Sequence, residues 1–258
     1  MTARRASQRA YESGARYALL LQRQQRGLQD GFERRLLPLF ARLGRAARDA
    51  ALPLLRDSEP KAVKAEESLI ARILEKLGIA SWAAELGQTY GAHYLDVAQQ
   101  AGEAAQRAGL GTSLPDPVAR AVVASGGRRS GMVDLEAQTR QALFDALAEG
   151  RAEGEGAEQL AERILPHVEG GPWNSPEYRA RIIARTETKY AQNISTIERG
   201  RAAGVQRFIV FDGRLGPGRS KPDHIARNGS IVTAPEAEAM ADAEHPNGTL
   251  SFAPHFGD

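Results

Sequence analysis

Ser175 to Asp212 reads SPEYRARIIARTETKYAQNISTIERGRAAGVQRFIVFD, and these residues decide the fold. Ser175 ahead of Pro176 and Glu177 marks a helix start. The hydroxyl can accept from a free amide of the first turn, the proline loses nothing by lacking an N–H there, and the carboxylate meets the positive end of the helix dipole. The helix is predicted to run to Ala203, with Tyr178, Ile182, Tyr190, Ile194 and Ile197 as its apolar stripe and Gly204 as its C-terminal cap. Arg207 to Phe211 then turns to β-branched and aromatic residues, which predicts a strand. A long helix feeding a strand, with only short elements after it, sets a small α+β domain.

Downstream, a loop rich in glycine and proline covers Gly213 to Pro222. A short strand is predicted at Ser230 to Thr233, a short helix at Pro235 to Ala241 and an extended stretch at Thr249 to Ala253. Upstream, Thr2 to about Gly109 reads as helix almost throughout, because Ala, Leu, Arg, Gln and Glu dominate and apolar residues recur at steps of three and four. Pro38 and Pro53 are expected to kink or interrupt it, since each removes an amide donor and crowds the preceding turn. Gly78 is expected to end a helix, and Ser81 to Ala108 to form the next, with Trp82, Leu86, Tyr90, Tyr94 and Val97 on one face. The texture changes between Gly109 and Asp134, where Ser125 to Gly131 reads as a hinge, before helix resumes at Leu135 to Glu149 and Ala157 to Leu165. The fold class is α+β, mainly α. The organisation expected is a helical, arginine-rich region at 1–124, a hinge at 125–133 and a C-terminal domain at 134–258.

The 258 residues are 42% apolar and 26% charged, the composition of a soluble globular protein. Cysteine is absent, which removes disulfides and thiolate metal sites. The apolar run Tyr17 to Leu21 is too short for a membrane span or signal segment, so a cytosolic site of synthesis is expected and no membrane partner. The formal net charge is only +2, yet twelve arginines stand against four carboxylates up to Arg56. Such a cationic arm suits a polyanion or an acidic partner surface, and Arg4, Arg5, Arg9, Arg16, Arg23 and Arg26 are the residues that would meet it. The same arginines also fit a solvated helix face. Gly126-Gly127-Arg128 is too short for a phosphate loop.

Polar residues gather in the last ninety positions where periodicity does not ask for them. Arg185 and Glu187 sit in the long helix two residues apart, so they cannot face each other and each needs a partner elsewhere. Asp212 ends the strand, and Asp223-His224, Asn228-Gly229, Asp242, His245-Pro246-Asn247 and His255 follow. Clustered His and Asp invite either loop anchoring or a metal, with Asp223, His224, His245 and Asn247 as the candidate ligands. Asn228-Gly229 reads as a turn into the second strand.

The string Ala184-Arg185-Thr186-Glu187, Asn193, the Gly-Val after the helix, the strand ending in Asp212, then His224, Asn228-Gly229 and His245-Pro246-Asn247 together resemble the phage Mu protein F-like family. These are the minor head, or head morphogenesis, proteins of tailed bacteriophages. The resemblance spans about Pro176 to Phe256; the helical region before it does not match residue by residue. It implies a low-copy structural protein of the virion, acting at the portal vertex, with the portal protein as partner, then major capsid or scaffold protein, and double-stranded DNA. It brings no catalytic residue set, and neither enzymatic activity nor a cofactor is expected. Relatives often carry cysteines between the strand aspartate and the histidine, and another after the His-Pro-Asn element, where this chain has Gly248. On this reading Arg185, Glu187 and Asp212 are structural ions, with the Arg185 fork expected on Asp212, tying helix to sheet.

Two other functions stay open at this point. A metal-dependent nuclease or hydrolase would use Asp212, Asp223, His224, His245 and His255 around a divalent metal, although no tight ligand spacing supports it. A helical adaptor would recognise a protein through Pro38 to Leu55 without DNA.

Overall fold

The computed structural model describes residues 6–57, 63–110, 134–173, 175–245 and 248–256. The chain is mainly helical with a small antiparallel sheet near its C-terminus. In order the elements are α1 (Gln8–Arg56), α2 (Val63–Leu77), α3 (Ile79–Arg107), α4 (Leu135–Ala152), α5 (Ala157–Gly170), α6 (Pro176–Ala202), β1 (Arg207–Phe211), α7 (Pro222–Arg227), β2 (Ile231–Thr233), α8 (Ala234–Ala243) and β3 (Ser251–His255). No described helix is long and apolar enough to cross a membrane.

Local chemistry accounts for the boundaries. Ser175 Oγ accepts from the Tyr178 amide at 3.1 Å and starts α6 as the sequence predicts. Gly204, at φ +76°, ends it. Thr233 and Glu236 form a reciprocal capping box that launches α8 directly from β2. Pro38 and Pro53 do not interrupt the helix: α1 runs through both as one helix of 49 residues. Each proline forfeits a single backbone hydrogen bond, and the apolar residues around them, Leu36, Leu39, Phe40, Leu43 and Ala51, are buried and hold the helix in place.

The division into parts also differs from the linear one expected. Contacts gather the described residues within Met1–Asp30, Tyr90–Ser130 and Ala184–Asp258 into one unit, and those within Gly31–Thr89 and Gly131–Ile183 into another. The physical reason is that α1, α3 and α6 are each long enough to contribute to both. The expected hinge at 125–133 lies outside the described residues.

Among its described residues the second unit holds helices and turns but no strand. Its core holds Phe32, Leu36, Phe40, Leu43, Ile73, Leu143, Leu147 and Ile164. Arg179 is buried among them, 1% exposed. Its guanidinium lies 3.9 Å from the Phe40 ring centre. It donates to the carbonyls of Val168 and Glu169 at 2.9 and 3.1 Å and to Gln138 Oε1 at 2.9 Å. It thereby satisfies the open carbonyls at the C-terminus of α5, where a cation also meets the negative end of the helix dipole.

The first unit is built round the sheet, whose order is β2-β1-β3, all antiparallel. Along β1 the side chains alternate. Ile209 and Phe211, with Ala253 of β3, pack on Tyr17, Ala18 and Leu21 of α1 and Ala101, Ala104 and Ala105 of α3. Phe208 and Val210, with Phe252, pack on Ile197 of α6 and Ala234, Ala237 and Ala241 of α8. The central strand is therefore covered on both faces, which explains an unbroken apolar run. The N-terminal turn of α1 belongs to this unit as well. Ala6 N donates to Gly229 O at 3.1 Å, and the Tyr11 ring lies 5.1 Å from that of Phe211.

Candidate functional site

At the C-terminal end of β1 the chain must leave a buried strand, and Asp212 sits there fully buried. Its Oδ1 accepts from the Gly213 amide and from Thr249 Oγ1, both at 2.7 Å. Its own amide donates to Asn228 Oδ1 at 3.1 Å. His224 Nδ1 stands 3.2 Å from either carboxylate oxygen. The guanidinium of Arg227 closes on Oδ2 at 2.5 Å. Burial pushes the Asp212 carboxyl up, but the hydrogen bonds from Thr249 and Gly213 and the Arg227 charge outweigh it and hold it below the usual aspartate value.

Helix α7 delivers both partners. His224 and Arg227 are three residues apart on six-residue α7, so they project from one face. Arg227 spans two carboxylates, donating to Glu244 Oε2 at 2.7 Å as well as to Asp212. Glu244 follows the last turn of α8 and is buried, 7% exposed. Its second oxygen, Oε1, has no hydrogen-bond partner among the described residues. Gly248 makes room for this side chain: a Cβ at that position would stand 1.6 Å from Glu244 Oε1. His245, next in sequence and exposed, brings its ring centre 5.1 Å from that of His224. One ligand atom from each of His224, Glu244 and His245 lies within 4.8 Å of the others.

Beside this network a cavity of about 360 Å³ is lined by Arg185, Lys189, Arg214, Gln22, Gln25 and Thr249 among others. Lys189 is half-buried. Its loss of solvent, with the Arg214 charge nearby, lowers the ammonium to about 8. The same loss of solvent lowers Arg214.

The residues anticipated from sequence divide clearly. Asp212, His224 and His245 come together, with Asn228 on the Asp212 amide. Asp212 takes Arg227 in place of Arg185, because α7 folds back over the strand end; Arg185 is exposed and lines the cavity. Glu187 is buried and accepts from Tyr94 OH at 2.5 Å. Burial and the Glu187 charge raise the Tyr94 hydroxyl well above its ordinary value. Asp223 is exposed in the first turn of α7 and outside the His224–Glu244–His245 group. His255 pairs with Arg207 at the far end of the β1–β3 ladder, whereas Phe211, next to Asp212, pairs with Ser251. That separates His255 from the site by about 13 Å along the strand. Arg4, Arg5 and Asn247 lie outside the described residues; Arg9, Arg16, Arg23 and Arg26 are on α1, all four exposed at its surface. Arg227, Glu244, Lys189 and Arg214 were not anticipated. The three-residue step from His224 to Arg227 and the adjacency of Glu244 to His245 were the available signals.

Comparison with protein families, curated proteins and solved structures gives no match to this chain.

Proposed function

We propose that this chain is a minor head protein of a tailed bacteriophage, acting at the portal vertex in head morphogenesis and touching DNA through its first helix. The observation that carries the reading is convergence. Asp212, His224, Asn228 and His245, which carry the resemblance to the Mu protein F-like family, meet in one hydrogen-bonded or stacked group. Asn193 of the same motif set is buried in the same unit and donates to Leu250 O at 3.3 Å. Residues scattered over some sixty positions are thus spent on fastening one helix, one strand end and two loops. This is what a rigid docking module requires.

The DNA component is supported by the layout of α1. Arg9, Arg16 and Arg23 are seven residues apart, so successive guanidinium groups turn by only about 20° and rise by about 10 Å along the helix. Such a row can track phosphates or an acidic protein surface. The cavity cations Arg185, Lys189 and Arg214 add positive charge in the same unit.

Fractionation of heads from the phage that encodes this chain tests the role. The protein is expected in purified heads at low copy relative to the major capsid protein. Its absence from heads and procapsids alike would refute the assignment.

A further inference from the structure

We infer that His224, Glu244 and His245 form a binding site for a divalent transition metal of the zinc class, with Asp212 and Arg227 as the groups that position it. The inference is independent of the assembly role.

Three observations carry it. The first is the donor set: two imidazoles and a carboxylate, with one ligand atom from each inside 4.8 Å, is the mixed nitrogen and oxygen set that zinc and its neighbours accept. Ligand atoms in a tetrahedral site stand closer than that, so the group must contract on binding. The His245 side chain is exposed and can swing inward.

The second is the state of Glu244. Arg227 fixes one carboxylate oxygen at 2.7 Å, while the other, buried, has no hydrogen-bond donor among the described residues. His224 Nδ1 stands 3.9 Å from it, too far for a hydrogen bond. A buried carboxylate oxygen without a donor is costly, and a cation is the partner that would offset that cost. Gly248 has no side chain, and a Cβ there would collide with this oxygen, so the backbone is shaped to keep the carboxylate in place.

The third is the support behind the ligands. A His224 ring that donates from Nδ1 to Asp212 keeps its lone pair on the other nitrogen, the carboxylate–histidine arrangement that orients imidazoles for metals.

Full-length protein stripped with chelator and then titrated with Zn²⁺ by calorimetry, and with Co²⁺ by visible absorption, tests this. One equivalent should bind, with the strong cobalt bands of a low-coordinate nitrogen and oxygen site, and Zn²⁺ should displace the cobalt. H245A, which removes an exposed side chain and should leave the far-ultraviolet circular dichroism unchanged, should weaken binding at least about tenfold. E244Q, which keeps the shape of the side chain, should do the same. Absence of saturable binding would overturn the inference. So would one-equivalent binding that neither H245A nor E244Q changes, which would place the metal elsewhere, for instance at His167 and Glu149, 3.2 Å apart on the other unit.

Discussion

Arg227 stands between Asp212 and Glu244, donating to each carboxylate, and so ties the end of β1 to the residue that follows α8. Asp212 is fully buried and Glu244 nearly so, which makes Arg227, among the described residues, the one guanidinium that bonds to both desolvated carboxylates. Removing it takes from each its guanidinium partner, although Asp212 keeps its bonds from Gly213 and Thr249. R227M is expected to destabilise the protein by about 2–4 kcal/mol in urea unfolding, with the partial exposure of Arg227 keeping the figure below that of a wholly buried pair. Unchanged unfolding would show that the pair is ornamental.

The same network sets an acid limit. Asp212 has a folded-state value below its ordinary 3.8. Its contribution to stability is therefore complete above the unfolded-state value and is lost as pH falls through the folded one. D212N should lose stability at neutral pH and show a shallower decline than the parent protein below about pH 4, read from urea midpoints between neutral and strongly acidic buffers.

Lys189 carries the opposite dependence. Its folded value of about 8 lies below the ordinary 10.5, so the fold disfavours its cation. Between these values the unfolded chain holds more protons, and stability rises with pH. K189M should be more stable than the parent at pH 7, and this advantage should narrow as pH is raised towards about 9.5. The difference between the two proteins isolates Lys189 from tyrosines that titrate higher.

Arg179 makes a prediction away from the site. Buried over Phe40 and bonded to three oxygens, it closes the C-terminus of α5. R179M retains much of the packing and strands the carbonyls, at an expected cost of about 2–4 kcal/mol. Denaturant unfolding would measure it.

For the arginine row of α1, replacing Arg9, Arg16 and Arg23 with Gln should weaken duplex DNA binding roughly equally across sequences. The salt slope should fall by about one for each phosphate that is no longer neutralised. Fluorescence anisotropy over a salt series reads both. Binding that is unaffected would assign the row to a protein partner or to solvent.

Much of the fold was legible because it rests on local rules. The Ser175 cap, the Gly204 stop, the strand at Arg207–Phe211 and the Asn228-Gly229 turn each follow from residue chemistry within a few positions. The interior of α6 was not legible. Tyr178, assigned to its apolar stripe, is 49% exposed, while Arg179, Glu187, Gln192, Asn193 and Arg199 are buried. Those polar side chains are buried because distant groups meet them, as Tyr94 meets Glu187 and as the Leu21 carbonyl accepts from Gln192. Periodicity in one segment carries no trace of such partners. The site was half visible for the same reason. Asp212, His224 and His245 stood out as residue types, but the choice of Arg227 over Arg185 depends on where α7 folds, and Glu244 looked like an ordinary helix-end carboxylate.

The most direct measurement is co-expression of this chain with the portal protein of its own genome neighbourhood, followed by sedimentation with and without DNA. A defined complex containing both chains, stable without DNA, is the result predicted for a minor head protein of the portal vertex. Separate sedimentation of the two chains under both conditions would contradict it.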